Sequence, residues 1–400
     1  MDKGQKTYTV QFWLLCFSSY LFFASFNMII PELPDYLTSL GGEDYKGFII
    51  SLFTLTAGLS RPFSGKLTDN VGRIPVMVLG AGVCFVIGFL YPVISSVAGF
   101  LLLRLFHGFS TGFKPTGTVA YVADIVPVNR RGEAMGISGV FGTMGMASGP
   151  AIGSEIALRY SLDFMFYASS ALAILSVLIL IGMKETLPHP QKFNLSHLKI
   201  GRDEVFDRSA IPPSIVMFLT VFSFGIVLTI IPDFSVYLGL KNKGSFFTVF
   251  TIASLMVRVV AGRISDKHGR EQVLLAAACM YAIGMTTIAL APSPLVLFAG
   301  AVIYGVAVGM NSPTLFAWAT DLSEAKNRGK ALATVFIALE AGIMMGALLS
   351  GWIYANDPAN FSITFMSGPI LVLFAVLYLI LRIRRKPSGS TTTQLRSSEN

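Results

Sequence analysis

Gly65-Lys66-Leu67-Thr68-Asp69-Asn70-Val71-Gly72-Arg73 stands between two apolar runs, and Gly262-Arg263-Ile264-Ser265-Asp266-Lys267-His268-Gly269-Arg270 stands between two others. The two stretches carry Gly, Asp, Gly and Arg at the same spacing, 197 residues apart. Sliding the chain against itself by that offset extends the match. Arg61 meets Arg258, Gly108 and Gly112 meet Gly305 and Gly309, and Asp124 meets Asp321. Arg131-Gly132 meets Arg328-Gly329, and Gly145 and Gly149 meet Gly342 and Gly346. The register does not drift over about 85 residues. Before Arg61 it becomes 201, so that Pro31, Tyr36 and Leu37 meet Pro232, Tyr237 and Leu238. The first outer loop is therefore four residues longer than its mate, and the chain reads as two parallel copies of one unit.

Composition says what that unit is made of. Of the 400 residues 53% are hydrophobic and only 13% charged, where soluble domains carry roughly 25% charged residues. The 38 glycines fit membrane helices, in which Gly is more frequent than in soluble ones. Neither a soluble enzyme core nor a disordered chain fits. A helix needs about 20 apolar residues to cross a bilayer. Spans are expected near 11–30, 47–66, 75–94, 97–121, 134–155, 163–183, 212–232, 245–263, 273–291, 295–318, 331–353 and 362–382. The fold expected is an all-α membrane protein, with twelve transmembrane helices in two pseudo-symmetric six-helix bundles. Residues 1–183 form the first bundle and 212–382 the second. A polar cytoplasmic linker, 184–211, joins them, and a disordered cytoplasmic tail, 383–400, follows. The first apolar run has no small-residue cleavage site and is kept as a span.

Charge placement orients the spans. Of the 30 Lys and Arg, twenty-two fall on the side of the N-terminus. Four (Lys46, Arg159, Lys241 and Lys243) fall on the other side, and four (Arg61, Arg104, Lys114 and Arg258) within spans. The positive-inside rule puts both termini in the cytoplasm. It also accounts for the net charge of +8 without nucleic acid. Cys16, Cys84 and Cys279 sit in apolar runs without metal or redox spacing. His107, His189, His197 and His268 are scattered, which argues against a metal centre or a nucleophile–base pair, and hence against an enzyme.

The two stretches quoted at the outset resemble the loop signature between helices 2 and 3 of the major facilitator superfamily, with its echo between helices 8 and 9. The resemblance covers nearly the whole chain. It implies a transporter whose halves rock about a site near the midplane. It also implies a cytoplasmic latch, engaged in the outward-open state, made by Gly65, Asp69, Gly72, Arg73, Asp124 and Arg131 with their mates Gly262, Asp266, Arg270, Asp321 and Arg328. In the fifth span Gly145, Gly149, Pro150 and Gly153 look like the motif of drug–proton antiporters, and the eleventh span lacks the proline and the last glycine. Arg104 in the fourth span, with glycines following, resembles a motif of proton-coupled members.

Inside the spans a few polar residues invite chemistry. Arg104, His107, Thr111 and Lys114 share one helical face. In this fold the fourth helix lines the central cavity, so that face is a basic stripe able to attract an acid-bearing solute; the alternative is that Lys114 snorkels to the cytoplasmic side. Glu340 is the only carboxylate deep in a second-half span, and its mate is Thr143. It is the first candidate for a proton site, with Asp35 and Glu32 next; the alternative is a Lys114 or Ser/Thr contact that only holds helices together. Asp233 reads as a gate residue. Asn27, Phe224, Tyr304 and Asn311 are expected to line the cavity. The resulting expectation is proton-coupled antiport of a lipophilic or amphiphilic small molecule in a bacterial plasma membrane, by a monomer without cofactor. The other reading is a carrier of an anionic metabolite, siderophore or lysolipid.

Overall fold

Inside a bilayer no water is available for peptide groups, so a spanning segment must satisfy its hydrogen bonds internally, as a helix does. The computed structural model describes residues 8–127, 130–199, 201, 206–324 and 328–385, and among them it contains helices and no strand. Twelve helices are long. The first bundle holds α1 (Val10–Ile29), α2 (Lys46–Asn70), α3 (Arg73–Leu90), α4 (Val97–Ile125), α5 (Arg131–Arg159) and α6 (Leu162–Ile181). The second holds α7 (Ile211–Tyr237), α8 (Ser245–His268), α9 (Arg270–Ala289), α10 (Pro294–Leu322), α11 (Arg328–Tyr354) and α12 (Phe361–Arg385). A short helix, Leu33–Ser39, prolongs α1 past Pro31. Hydroxyls start several helices: Ser96 accepts the Gly99 amide at 3.2 Å and Ser161 that of Phe164 at 3.1 Å.

Eight of these helices are long and apolar enough to cross a membrane, or nine if α8, bent by 48°, counts as one span. Those that fall short, α2, α4 and α5, are rich in Gly, Ser and Thr, and α2 and α4 carry internal charges. Several helices also outrun the expected spans. The fourth, expected over 97–121, continues to Ile125, because hydropathy registers the apolar window and not the turns that follow it.

The repeat in sequence is a repeat in packing. α1 lies on α5 and α6, and α4 lies on α2 and α3; likewise α7 lies on α11 and α12, and α10 on α8 and α9. The α1–α5 contact is close because small residues face it. A Cβ on Gly145 would stand 2.5 Å from the Tyr20 carbonyl, and one on Gly149 2.6 Å from that of Ala24. Buried hydroxyl pairs, Ser18–Ser176 at 2.8 Å and Ser25–Ser169 at 3.1 Å, pin α1 to α6. The two bundles meet along α2–α11 and α5–α8.

The face where α1 begins and α12 ends is called here the terminal face, and the opposite one the distal face. On the terminal face the connecting segment touches both bundles. The Gln191 amide donates to the Asn70 carbonyl at 2.8 Å, and the Asp207 amide to the Thr334 hydroxyl at 2.9 Å. On the distal face the starts of α2 and α8 are pressed against the opposite bundle. A Cβ on Gly47 would stand 2.8 Å from the Ala347 carbonyl, and one on Gly244 closer still to that of Pro150. The tail beyond Arg385, with Lys386 and Arg396, lies outside the described residues, as do Lys3, Lys6, Val128, Asn129, Arg202 and Lys326.

Candidate functional site

Between the bundles lies a cavity of about 400 Å³. Phe23 and Phe26 of α1, Phe224 of α7 and Phe250 of α8 form an aromatic wall beside Asn27, with the Phe224 and Phe250 rings 5.7 Å apart. Arg61, Arg104, Arg258 and Glu340 are its charged lining. Towards the terminal face the cavity adjoins a cleft of about 740 Å³ that shares Arg61, Pro115 and Phe336 with it and reaches Lys66, Asp69 and Lys330. To the side, an apolar groove of about 500 Å³ between α2 and α11 is lined by Leu55, Leu59 and Met344, with Glu340 at its wall.

Glu340 is buried and accepts a hydrogen bond from Arg61 Nη2 at 2.7 Å, across the α2–α11 contact. The Arg61 guanidinium also lies over the Phe336 ring, 4.4 Å from its centroid. Its partner is thus Arg61, and not Lys114. At the mate of this contact, Arg258 Nη1 of α8 faces the Thr143 hydroxyl of α5 at 3.4 Å. The repeat has kept both arginines and one carboxylate.

The face of α4 splits. At about 100° per residue, Arg104 and Thr111 fall within about 20° of each other, as do His107 and Lys114, and the two pairs stand about 60° apart. Arg104 and Thr111 line the cavity. His107 and Lys114 turn into the first bundle. The His107 ring lies 3.2 Å from the Tyr91 hydroxyl and 3.4 Å from Cys84 Sγ, while Lys114 donates to Ser19 Oγ at 3.2 Å, beside the Phe22 ring. The expected stripe is therefore two residues wide at the cavity. Arg104 donates to the Ile49 carbonyl at 2.8 Å and the Tyr91 hydroxyl at 3.3 Å. The second bundle repeats this division. Tyr304 and Asn311, the mates of His107 and Lys114, are buried against Ser223 at 3.0 Å and Thr220 at 2.9 Å and lie away from the cavity. Asn27 lines the cavity, its amide donating to the Phe23 carbonyl at 2.7 Å.

Asp35 and Glu32 are brought to the distal face. Lys243, from the α7–α8 loop, reaches across to Glu32 at 3.0 Å and to Asp35. Ser154 Oγ donates to the other Glu32 oxygen at 2.6 Å. Burial pulls the Lys243 ammonium down, but the Glu32 and Asp35 carboxylates more than offset that and hold it above the ordinary lysine range. Beside them Lys46 of α2 pairs with Asp233 at the end of α7, at 2.5 Å. Both contacts join the two bundles.

On the terminal face Arg73 and Arg270 pair within their own bundles. Arg73 reaches Asp124 at 3.0 Å and Asp69 at 3.5 Å, and Arg270 reaches Asp321 at 2.8 Å and Asp266 at 2.5 Å. The Asp69 side chain is 73% exposed, and Arg131 and Arg328 are exposed at the starts of α5 and α11. Gly65 and Gly262 have open space where a Cβ would be. Gly72, with φ +138°, lets the chain turn into α3 under the Glu185 carboxylate, which accepts the Arg73 and Ile74 amides at 3.1 and 3.0 Å. Sequence reasoning gave Glu185 no role; its place directly after the sixth apolar run was the available signal. Lys46, Lys243 and Arg61 were also missed, as residues whose partners lie in the other bundle.

The family model described as Major Facilitator Superfamily matches residues 13–241 and 213–398. Among curated proteins, "Multidrug resistance protein MdtG" of Escherichia fergusonii is 27% identical over 399 residues, with 94% of each chain covered. "Multidrug resistance protein 2" of Bacillus subtilis is 25% identical over 287 residues, covering 68% of this chain and 71% of its own. Among solved structures, the nucleoside transporter NupG superposes with a TM-score of 0.78 at 13% identity, over 93% of this chain and 99% of its own. The human organic anion transporter MFSD10 superposes with a TM-score of 0.71 at 20% identity, over 94% and 100%. These two show the fold.

Proposed function

The chain belongs to the Major Facilitator Superfamily, as a multi-pass membrane transporter of small molecules, and we propose that it exports a lipophilic or amphiphilic solute in exchange for protons. The observation that carries this is the Arg61–Glu340 pair, an ion pair with a buried carboxylate that spans the two bundles at the cavity wall. Protonation of Glu340 cancels the charge that holds Arg61, so the α2–α11 contact loosens. Return of the proton to solvent restores it. A carboxylate so placed ties the relation of the bundles to its protonation, which is what antiport requires. The curated relatives, which are bacterial, carry the name multidrug resistance protein, which supports efflux.

In this reading the terminal face is cytoplasmic, and residues 1–183 and 212–382 are the moving bodies, joined by 184–211. The distal pairs Lys243–Glu32 and Lys46–Asp233 hold the outer side shut while the cytoplasmic cleft is open. Asp69, Arg73 and their mates engage across the bundles when that cleft closes. The chain acts as a monomer and needs no cofactor. The test is purified protein in liposomes with a pH-sensitive dye inside. Addition of an amphiphilic substrate under an imposed gradient moves protons in the parent and not in Glu340→Gln. Unaltered proton movement in that variant would remove Glu340 from coupling.

A further inference from the structure

The offset of 197 residues superposes not only residues but contacts. It lays Arg61 on Arg258 and Glu340 on Thr143. It also lays the 2.7 Å bond between Arg61 and Glu340 on the 3.4 Å approach of Arg258 to Thr143 Oγ1. In the first contact a carboxylate neutralises the guanidinium. In the second a hydroxyl stands where the carboxylate would be, and a hydroxyl cannot. Arg258 is exposed and lines the cavity. Arg104, on the same cavity, spends its hydrogen bonds on a carbonyl and a phenol. Among the described residues neither forms an ion pair. The charged lining is thus three arginines against one carboxylate. A cation at membrane depth is costly without a counter-charge and points to a functional partner. Here the chain does not supply that partner, and the open space beside Arg258 is where one can enter.

We propose that the transported solute is an amphiphilic organic acid. Its anionic head pairs with Arg258 beside Thr143, taking the position that Glu340 takes for Arg61. Its apolar body lies against Phe224 and Phe250, whose rings face the same cavity. This rests on the export reading above and narrows its substrate class.

The test is equilibrium binding to the full chain in detergent at one pH and without a gradient, so that a failure of proton coupling does not touch it. The probes are 11-(dansylamino)undecanoic acid, an amphiphilic anion, and rhodamine 6G, an amphiphilic cation. A charge-assisted hydrogen bond of the usual strength makes Arg258→Gln weaken the acid by about tenfold to a hundredfold. Arg258→Lys keeps part of that affinity. Thr143→Glu supplies the missing mate of Glu340 and weakens the acid by a similar factor, with rhodamine 6G bound no less tightly than by the parent. If Thr143→Glu does not elute as a monodisperse species, the Arg258→Gln and Arg258→Lys pair decides. Equal affinity for the acid across the variants, or an equal loss for both probes, overturns the proposal.

Discussion

Replacing Lys243 by Ala should release the distal face. In the structure this ammonium holds Glu32 and Asp35 of the opposite bundle, and both Lys243 and Glu32 are buried. Removing one partner of a buried pair costs about 3–5 kcal/mol, because the other charge is left without compensation. The low end applies here. Glu32 keeps the Ser154 hydroxyl at 2.6 Å, and Asp35, with a side chain 55% exposed, is compensated by water and adds little. About 3 kcal/mol against the distal-closed arrangement changes the ratio of closed to open molecules by a factor of about 150. The assay is a pulsed spin–spin distance between labels at Thr38→Cys and Lys241→Cys, both exposed and in opposite bundles. Exposed Cys279 is replaced by Ser, and Cys16 and Cys84 are buried. The parent should give mainly the short distance and Lys243→Ala mainly a longer one. Adding Glu32→Gln should restore most of the short population, since no buried charge then lacks a partner. The pH dependence has a definite sign. A lysine raised above its ordinary value contributes fully below that value and is lost as pH rises through the raised one. The short distance in the parent should therefore survive neutral and mildly alkaline pH and fade only above the ordinary lysine value of about 10.4. Identical distances in parent and variant would refute the gate.

Arg61→Gln alone should lower thermal stability by more than Arg61→Gln with Glu340→Gln, because the single change strands a buried carboxylate at a cost of about 3 kcal/mol; melting of the purified variants decides, and equal losses would mean the pair is not coupled. Gly149→Val forces a branched side chain onto the Ala24 backbone, where even a Cβ would stand 2.6 Å from the carbonyl. It should destabilise by about 1–3 kcal/mol, read as a lower melting temperature, while Gly65→Ala, where the space is open, should not. Asp69→Asn should impair transport in liposomes while insertion and monodispersity stay intact, and full activity would remove the latch reading.

The duplication was legible in the sequence because Gly, Asp and Arg kept their register, and with it came the helix order and the correspondence of helices between the two bundles. Helix ends were less legible. Hydropathy stops at the apolar boundary, whereas α2 runs on past Lys66 to Asn70 and α10 past Trp318 to Leu322 in polar surroundings. The site was legible as an inventory but not as an arrangement. Glu340 was visible as a rare membrane carboxylate, yet its partner lies 279 residues away, and helical periodicity carries no information about which helix stands opposite. His107 and Lys114 were grouped with Arg104 because a face about 80° wide seems single in sequence; in a packed bundle, 60° suffices to separate a cavity wall from a core. The repeat held an unused clue. An arginine kept in both halves, opposite a carboxylate kept in one, already marked Arg61 and Arg258 as a pair worth comparing.

Gly47 and Gly244 stand 197 residues apart, and so do Pro150 and Ala347, the residues that Gly244 and Gly47 press against. On the distal face the bundles therefore meet at two backbone points placed diagonally, like a lid seated on two pins. Two points fix a line. Turning about that line leaves both points seated, whereas opening of the distal face, which Lys243→Ala should favour, must part them. Because each pin is a glycine set on peptide atoms, turning on it requires no side chain to change rotamer. The distal seam is thus backbone against backbone at these two points, and its fit does not depend on the side chains that line the cavity.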